Sequence, residues 1–436
     1  MCLCEILRVF CGKTKILINM KRILIGFFIA SIMIQFMASC QQKPIYKDPK
    51  ANIEDRVEDL LKQMTLDEKL EQIAGYGESG FDAKINERLG IPAFKMSDGP
   101  LGVRWGKSTS FPCGAAVAAT WDTALVTRFA LALAEETHAK GRNYLLGPCV
   151  NIHRFPAGGR NFESYGEDPF LTLRLAVNYV KALQSQQVIA CIKHFALNNQ
   201  EWRRTEINVT ADERTMREIY LPSFEAAVKE GGVYSVMSAY NKVNGWWCSE
   251  NKELLTDILK NDWGFKGVVV SDWGSTHSTE HAANNGLDIE MPDAYVFVMD
   301  SLRIAIKEGR ISEETINDKV RRILRVKFMA GLFDKPYSKP EELSGLLHTK
   351  ESVKLAREIA EESIILLKNE DNLLPLKLSG LKSIAVKGPN ANQVQYGDYS
   401  VTKDNSSGVT ILEGIINIVK DKVKINYATV PCIIQL

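Results

Sequence analysis

The stretch "GVVVSDWGS", residues 267–275, places three valines directly before an aspartate and a tryptophan. Val268, Val269 and Val270 have no polar residue alternating with them, which predicts a strand that is buried on both faces. Asp272 follows at the point where that strand ends, and a buried charge costs free energy unless a neighbouring group uses it. The stretch therefore predicts a strand of a parallel sheet with a carboxylate at its carboxyl end.

Other segments of the chain repeat this arrangement. "QVIACIKHF" (187–195) and "VYSVMSAYN" (233–241) also read as strands that end in polar residues, and "ADERTMREIYLPSFEAAVKEG" (211–231) and "NKELLTDILKNDWG" (251–264) read as helices. Strand, helix and strand in alternation predict βαβ units, and about 300 residues of them predict an α/β fold with a (β/α)8-type TIM-like barrel. We place this barrel at residues 52–345 and expect the carboxyl ends of its strands to converge on one site.

Composition and charge exclude several classes of protein. The chain has 436 residues, 45% hydrophobic and 25% charged, with a net charge of +1, which is typical of a soluble globular protein of two or three domains. No bulk charge favours nucleic acid or an anionic membrane surface. The nine cysteines form no CxxC pair and have no Cys/His spacing for zinc. We therefore expect neither a metal nor a cofactor.

The pattern changes after the barrel. We assign residues 346–380 to a linker and domain junction, in which "HTKESVKLAREIAEESIILLKNEDNLLPL" (348–376) predicts a helix that runs into a strand. "LKSIAVKGPNAN" (381–392) predicts a strand that ends at Gly-Pro-Asn. Residues 381–436 then predict an incomplete second α/β sandwich domain, because a doubly wound domain usually needs a longer segment. We expect the chain to be truncated there.

The N-terminal segment predicts export. "MKRILIGFFIASIMIQFMASC" (20–40) has a basic start, an apolar centre and small residues before a cysteine, which is typical of a signal peptide. "MASC" resembles a bacterial lipoprotein cleavage box, which makes Cys40 the candidate lipidated residue; the alternative is an ordinary signal peptide with a chance cysteine. Residues 1–19 then read as a mis-called start and 41–51 as a tether. The expected location is the periplasm or, as a lipoprotein, the outer membrane of a bacterium.

Six motifs occur in a fixed order along the chain: "MSDGPLGVR" (96–104), "GRNFESYGEDPFL" (159–171), "KHFALNNQE" (193–201), "VMSAYNKVNG" (236–245), "VVVSDWGS" (268–275) and "LLKNEDNLLPL" (366–376). In these motifs the chain resembles glycoside hydrolase family 3, of the β-glucosidase type, over about residues 52–428. The resemblance implies a retaining exo-acting β-glycosidase that removes terminal β-linked sugars through a covalent glycosyl-enzyme. It also implies a carbohydrate partner and no cofactor.

The resemblance makes Asp272 the nucleophile. Retaining cleavage needs two carboxyl groups about 5 Å apart, one that attacks the anomeric carbon and one that transfers a proton. Taken alone, an aspartate after a strand is more often a helix N-cap. We expect nearby cations to favour the ionised form of Asp272, because an opposite charge stabilises a carboxylate.

The remaining matched positions imply a sugar pocket. Asp98 is expected to accept from sugar hydroxyls and Arg104 to orient Asp98. The residues expected to donate hydrogen bonds to sugar hydroxyls are Arg160, Lys193, His194 and Arg204. The residues expected to form the walls of the pocket are Met237, Tyr240 and Trp273. Tyr240 is also expected to form a hydrogen bond near the nucleophile. Met237 is on physical grounds more often a core residue. Glu163 and Glu201 are expected to pair with neighbouring arginines.

The proton donor leaves alternatives open. The resemblance implies that the donor is a glutamate about 200 residues after the nucleophile, which would fall beyond residue 436. One alternative is therefore a catalytically impaired, truncated sugar-binding lipoprotein. A second is a β-xylosidase or a β-N-acetylglucosaminidase of the same family, although the latter branch carries a histidine-rich run where this chain has "ALNNQEWRR" (196–204). A homo-oligomer stays open, and membrane contact is expected only through Cys40.

Overall fold

The computed structural model describes residues 44–335, 338–396 and 408–429. The segment with the predicted signal peptide and Cys40 lies outside these residues. No helix in the described ranges combines the length and the apolar character that a membrane crossing requires.

The described chain divides into two compact units, with the boundary between Leu60 and Leu61. In the described part of the first unit, Tyr46 is buried; its backbone N–H donates to Asp59 at 3.0 Å, and its carbonyl accepts from Arg56 Nε at 3.0 Å. These contacts place Tyr46, within the predicted tether, in a folded segment.

The strands that the structure describes are short. They are β1 (Gly75–Tyr76), β2 (Asp82–Ala83), β3 (Met96–Asp98), β4 (Tyr144–Leu146), β5 (Ile189–Phe195), β6 (Asn208–Val209), β7 (Ser235–Ser238), β8 (Lys242–Val243), β9 (Trp246–Trp247), β10 (Val268–Val270), β11 (Ser383–Lys387) and β12 (Lys424–Ala428).

The α-helices alternate with these strands. They span Ile53–Gln63, Leu66–Gln72, Gly114–Ala119, Thr123–Ala139, Pro169–Ser185, Glu213–Thr215, Pro222–Lys229, Thr279–Asn285, Met299–Lys307, Glu313–Met329, Pro340–Leu343, Lys350–Glu362 and Ile411–Val419. The helix at Leu66 begins at a capping box in which Thr65 and Glu68 exchange hydrogen bonds.

The central sheet has five parallel strands in the order β3–β4–β5–β7–β10, and every residue of these strands is buried. Chain order matches spatial order because helices connect consecutive strands, as in a (β/α) barrel. Single bridges extend the pairing from Val270 to Ile289 and from Glu290 to Ala74. The antiparallel β1–β2 pair and an Asp82–Lys95 bridge then lead back to β3. The predicted α/β barrel-type fold is confirmed, with continuous ladders over five strands.

Two predicted helices contain π-helical turns. The segment predicted over 211–231 has a π-helix at Met216–Tyr220, and the second predicted helix is π-helical over Glu253–Asp262. In the first, the Leu221 N–H donates to the Met216 carbonyl at 2.9 Å. Pro222 follows directly and begins the next α-helix, since it has no N–H to continue the ladder.

Loops at the carboxyl edge of the central sheet build a second, three-stranded sheet in the order β6–β8–β9. β6 belongs to the connection that leaves β5, and β8 and β9 form a hairpin that follows β7. Polar residues that leave β5, β7 and β10 therefore share one edge of the barrel.

The second α/β region is smaller. Parallel strands β11 and β12 pack with the helix Ile411–Val419 around a cluster of Val386, Ala391 and Leu412. The strand predicted after the helix Lys350–Glu362 is wrong, because residues 364–369 pair with no strand in the described chain. A strand needs a hydrogen-bonding neighbour as well as an apolar sequence.

Candidate active site

Asp272 lies two residues beyond the end of β10 and is 7% exposed. Its Oδ1 accepts the backbone N–H of Trp273 at 2.8 Å. Its Oδ2 lies 3.6 Å from Nε2 of His194, which is too long for a hydrogen bond. Within the described residues neither of these two buried atoms has a hydrogen-bond partner. The site thus contains two unsatisfied polar atoms that face each other.

Lys193 and His194 lie near the carboxyl end of β5, where the pairing with β7 is interrupted between Ile192 and Phe195. Both side chains are almost fully buried, at 2% and 1% exposure. Burial of two basic groups is costly without partners, and each of them has partners in the structure.

Asn151 determines which ring nitrogen of His194 carries the proton. Its Oδ1 accepts the backbone N–H of His194 at 2.9 Å and its Nδ2 donates to the His194 carbonyl at 2.9 Å. The same Oδ1 lies 3.0 Å from His194 Nδ1, so Nδ1 carries the proton. Burial, followed by the charges of Arg160, Lys193 and Arg204, holds the pKa of His194 well below its usual range. The neutral ring leaves Nε2 as an acceptor, whereas the sequence suggested a donor.

Asp98, at the end of β3, contacts two cationic side chains. Its Oδ2 accepts from Arg104 at 2.7 Å, as expected from the sequence, and its Oδ1 lies 3.7 Å from Lys193 Nζ. Lys193 Nζ also lies 3.6 Å from Glu163 Oε2, and Glu163 pairs with Arg160. Burial lowers the pKa of Lys193, but the carboxylates of Glu163 and Asp98 outweigh it and raise the pKa above its ordinary value. Lys193 is therefore a permanent cation.

Arg204 reaches the site from the loop after β5. Its guanidinium bonds to Glu201 at 2.7 Å and lies 4.0 Å from the centroid of the Tyr240 ring. The Tyr240 hydroxyl donates to the Trp273 carbonyl at 2.9 Å. Burial and then the Asp272 carboxylate raise the pKa of Tyr240, which keeps this hydroxyl protonated. The predicted pairing of Glu163 and Glu201 with arginines is thus confirmed.

Trp273 forms an aromatic wall. Its Nε1 donates to the Gly80 carbonyl at 2.8 Å, and its ring packs against Phe81 with centroids 4.9 Å apart. Phe81 in turn meets Trp105 edge-on at 4.6 Å. Met237 is buried in β7 with its Cα paired to Val270. This strand pairing places Met237 two residues from Asp272 along the neighbouring strand.

The pKa of Asp272 shifts in the direction opposite to the sequence-based expectation. Burial raises it above the ordinary value, and the charges of Arg160 and Lys193, the Trp273 N–H and the charge of Arg204 oppose that rise without cancelling it. The reason is desolvation: a buried carboxylate loses its hydration, and cations at a distance replace only part of it.

Among the residues that the structure describes, one group of side chains has ligand atoms close enough to hold a metal ion. These are Cys149, Glu163 and His194, whose ligand atoms lie within 4.8 Å of one another. Glu163 is already neutralised by Arg160 and Lys193, and burial raises the pKa of the Cys149 thiol to about 12. Two cations and a protonated thiol disfavour a divalent ion here.

Two contributors to the site, Asn151 and Phe81, were missed from the sequence, and for a third, Glu163, only the pairing with an arginine was expected. Asn151 fixes the His194 ring, Glu163 neutralises Lys193, and Phe81 supports Trp273. A signal existed for Asn151, because it follows β4 at the same edge of the sheet at which β5 and β10 end. Phe81 has no local signal, since its role comes from a loop that precedes β3.

Taken together, the fold and the site define a (β/α) barrel protein with a buried carboxylate at the carboxyl edge of the sheet, surrounded by cations, hydrogen-bonding side chains and an aromatic wall. The N-terminal domain of glycosyl hydrolase family 3 matches residues 58–326, and the C-terminal domain of that family matches residues 364–430. The chain belongs to glycosyl hydrolase family 3.

Two relatives illustrate the similarity in sequence. A beta-glucosidase of Rhizobium radiobacter is 45% identical over 343 residues, which are 77% of this chain and 41% of the relative. Thermostable beta-glucosidase B of Acetivibrio thermocellus is 44% identical over 353 residues, 78% of this chain and 45% of the relative. The chain spans about half the length of the curated relatives it matches.

Solved structures agree with this relationship. Beta-glucosidase 3B of Thermotoga neapolitana in complex with glucose has a TM-score of 0.75 and 36% identity, with 85% of this chain and 55% of that chain covered. A beta-glucosidase of Kluyveromyces marxianus in complex with glucose has a TM-score of 0.76 and 36% identity, with 85% and 46% covered. The similarity therefore extends over most of this chain and about half of theirs.

Proposed function

We propose that the chain carries the sugar-binding and nucleophile half of a retaining exo-acting β-glucosidase. The relatives are named beta-glucosidases, and two of the similar solved structures hold glucose. The observation that carries the proposal is the pair of facing, unsatisfied atoms Asp272 Oδ2 and His194 Nε2, 3.6 Å apart at the carboxyl edge of the barrel. A sugar hydroxyl that donates to Nε2 would place the ring beside the carboxylate.

The groups around Asp272 suit a pyranose. Asp98 and His194 Nε2 accept from hydroxyls, whereas Lys193 and Arg160 donate to them. The Trp273 indole offers an apolar surface for the C–H groups of the ring. In the proposed reaction an oxygen of Asp272 bonds to the anomeric carbon, and the bond from that carbon to the leaving oxygen breaks. The leaving oxygen departs with the electron pair of that bond and takes a proton from solvent. Water then attacks the anomeric carbon, the bond from that carbon to Asp272 breaks and restores the carboxylate, and the attacking water releases a proton to solvent.

Covalent trapping tests the nucleophile. An activated 2-deoxy-2-fluoro-β-glucoside should add one fluoroglucosyl group to the 436-residue chain, because the fluorine slows release of the glycosyl-enzyme. Asp272→Asn should abolish labelling, since an amide is a far weaker nucleophile. Intact-protein mass spectrometry and peptide mapping provide the measurement.

Asp293→Asn is the matched control, because Asp293 is exposed and its carboxylate accepts the backbone N–H of Ala294. Its labelling should equal that of the unsubstituted chain. Labelling that persists in Asp272→Asn, or that maps to another residue, would reject the assignment.

The proton donor for the leaving group is not assigned to any residue that the structure describes. General acid assistance typically contributes 10²- to 10⁴-fold. If this chain acts without it, glucosides of acidic phenols should be cleaved and alkyl glucosides should not. Rates on a series of aryl β-glucosides and β-xylosides, plotted against leaving-group pKa, measure both the dependence on the donor and the sugar preference.

We also propose export with a lipid anchor at Cys40, on the basis of the sequence 20–40 alone. A signal peptidase would cleave before Cys40, and the diacylated cysteine would attach the chain to a membrane. Labelled palmitate supplied to bacteria that express the chain should be incorporated, and Cys40→Ser should abolish incorporation. Labelling that is unchanged in Cys40→Ser, or absent from both proteins, would contradict the anchor.

A further inference from the structure

A second cavity, of about 600 Å³, opens at the carboxyl edge of the central sheet. One wall is the segment 197–200, which begins two residues after β5, and another is Asn241, which follows β7. Residues of the segment 207–212, which contains β6, complete the lining together with the helical residues Thr215 and Tyr220 and with Arg154, which follows β4. None of the residues that surround Asp272 lines this cavity. It is therefore a separate concavity on the face that carries the proposed catalytic site.

The lining is neutral and rich in hydrogen-bonding groups. It includes the amides of Asn198, Asn199 and Gln200, the hydroxyl of Thr210 and the ring of Tyr220. Two lining residues, Arg154 and Asp212, carry opposite charges, and Asp212 already accepts from the backbone and hydroxyl of Thr215 at 2.8 and 3.0 Å. Such a lining suits an uncharged ligand with several hydroxyl groups.

Three buried amide oxygens in this wall lack donors among the described residues, and hydrogen bonds fix the amide orientation for two of them, Asn198 and Asn241. Asn198 is 7% exposed and its Nδ2 donates to Glu201 at 3.2 Å; Asn241 is 1% exposed and its Nδ2 donates to the carbonyls of Ala196 and Lys242, each at 3.2 Å. These bonds fix which amide atom is the oxygen. Among the described residues, neither Oδ1 has a hydrogen-bond partner. An unpaired buried acceptor is destabilising, and a donor from a ligand would relieve it.

The cavity wall is linked to the proposed catalytic site. Asn198 bonds to one oxygen of Glu201, and the other oxygen of Glu201 accepts from Arg204, which covers the Tyr240 ring. A ligand that contacts Asn198 is thus separated from the sugar pocket by two side chains.

We propose that this cavity is a second saccharide-binding site that takes a neutral, hydroxyl-rich ligand, either a free sugar or further units of an oligosaccharide bound at Asp272. Its volume falls within the range of about 300–1,000 Å³ that is usual for ligand pockets. The proposal goes beyond the proposed function and does not require Asp272 to be the nucleophile.

Equilibrium dialysis with labelled glucose tests the proposal on the 436-residue chain. All proteins carry Asp272→Asn to prevent turnover. Thr210→Trp places an indole in the cavity from its exposed rim, and Thr123→Trp adds the same ring at an exposed position that does not line the cavity. We expect two glucose molecules per chain without a second substitution and with Thr123→Trp, and one with Thr210→Trp.

Each other outcome is decisive. One glucose in all three proteins overturns the second site and leaves the proposed function standing. One glucose that Thr210→Trp removes supports the cavity and rejects sugar binding at Asp272. No bound glucose in any protein rejects both, and two glucose molecules in all three reject the cavity as the second site.

Labelled cellotetraose distinguishes the two possible ligands, a free sugar and further units of an oligosaccharide bound at Asp272. One cellotetraose per chain whose affinity falls several-fold in Thr210→Trp indicates a chain that extends from the Asp272 pocket, whereas two indicate independent sites. Tyr220→Ala, which removes a ring from the wall without filling the cavity, should weaken the second glucose several-fold and leave the first unchanged. Equal affinities in Tyr220→Ala and the parent would contradict the placement of the second glucose in this cavity.

Discussion

The apolar runs Val268–Val270 and Ile364–Leu367 look alike in sequence and lie in opposite environments. The three valines are 0% exposed in β10, whereas Ile364 and Leu367 are 77% and 91% exposed. β10 is hydrogen-bonded to β7 and bridged to Ile289. The second run pairs with no strand in the part of the chain that the structure describes. An apolar run therefore becomes a buried strand only where neighbouring elements supply both backbone partners and a covering layer.

A similar contrast in burial holds between the barrel and the second α/β region. The barrel buries its five central strands entirely, whereas the second α/β region has a cluster of three buried residues, Val386, Ala391 and Leu412. Burial of apolar surface is the main favourable contribution to stability. The barrel is thus expected to hold most of the folding free energy of the described chain.

Hydrogen exchange should give the largest difference between the two runs. The amide hydrogens of Val268–Val270 are expected to exchange only when the barrel unfolds, whereas those of Ile364–Leu367 are expected to exchange through local fluctuations. After correction for intrinsic rates, we expect exchange at least about 10³-fold slower in the first run. Exchange followed by pepsin digestion and mass spectrometry measures this ratio. Similar protection in both runs would mean that residues 364–367 are covered in solution.

A matched pair of leucine truncations should show a smaller difference, measured as the loss of unfolding free energy in the two regions. Leu259 is 0% exposed within the helix Glu253–Asp262 and Leu367 is 91% exposed. We expect Leu259→Ala to cost about 2–5 kcal/mol of unfolding free energy through the cavity it leaves. Leu367→Ala should stay within about 0.5 kcal/mol. Urea denaturation followed by circular dichroism provides both values, and equal losses would refute the difference in packing.

A buried lysine should make barrel stability depend on pH. Lys327 is 0% exposed, its Nζ donates to Gln72 at 2.6 Å, and burial lowers its pKa to about 7. Above that pH the unfolded chain, with a lysine pKa of about 10.4, binds a proton that the folded chain does not. Stability should therefore rise with pH, by up to about 1.4 kcal/mol per pH unit for this lysine.

Lys327→Met should remove that part of the slope, measured as urea midpoints from pH about 7 to about 9. Lys387→Met, at an exposed position of β11, is the control for loss of a lysine and should retain the slope. An unchanged slope in Lys327→Met would show that its ammonium stays charged in the folded barrel. Lys319, whose pKa burial also lowers to about 7, adds a separate contribution.

Much of the site could be predicted from the residues that follow the strands. Lys193, His194 and Asp272 each follow an apolar run, and parallel strands bring such residues to one edge. The contacts between Asp98 and Arg104 and between Glu201 and Arg204 join residues that are close in sequence, which makes them accessible to sequence reasoning. The strand after Glu362 was predicted wrongly because its apolar residues carry no information about a missing neighbour.

The direction of proton equilibria could not be read from the sequence. The pKa of Asp272 rises because burial outweighs the cations, and Nε2 of His194 becomes an acceptor because the protonated Nδ1 donates to Asn151 Oδ1. Both effects depend on distances and on exclusion of water, which vary continuously with packing. A motif specifies which groups are present and leaves their solvation open.

The sequence by itself determined the alternation of strands and helices, the polar residues at the strand ends and the family to which the chain belongs. The period with which side chains alternate along a strand or a helix is a local property, and the order of residues therefore specifies it. Only the tertiary structure decided that Lys193 is neutralised by Glu163 and Asp98, that an apolar run at 364–367 lies exposed, and that a second polar cavity opens beside the site. Each of these depends on segments far apart in the chain, because burial and electrostatic interaction are set by what surrounds a group in space.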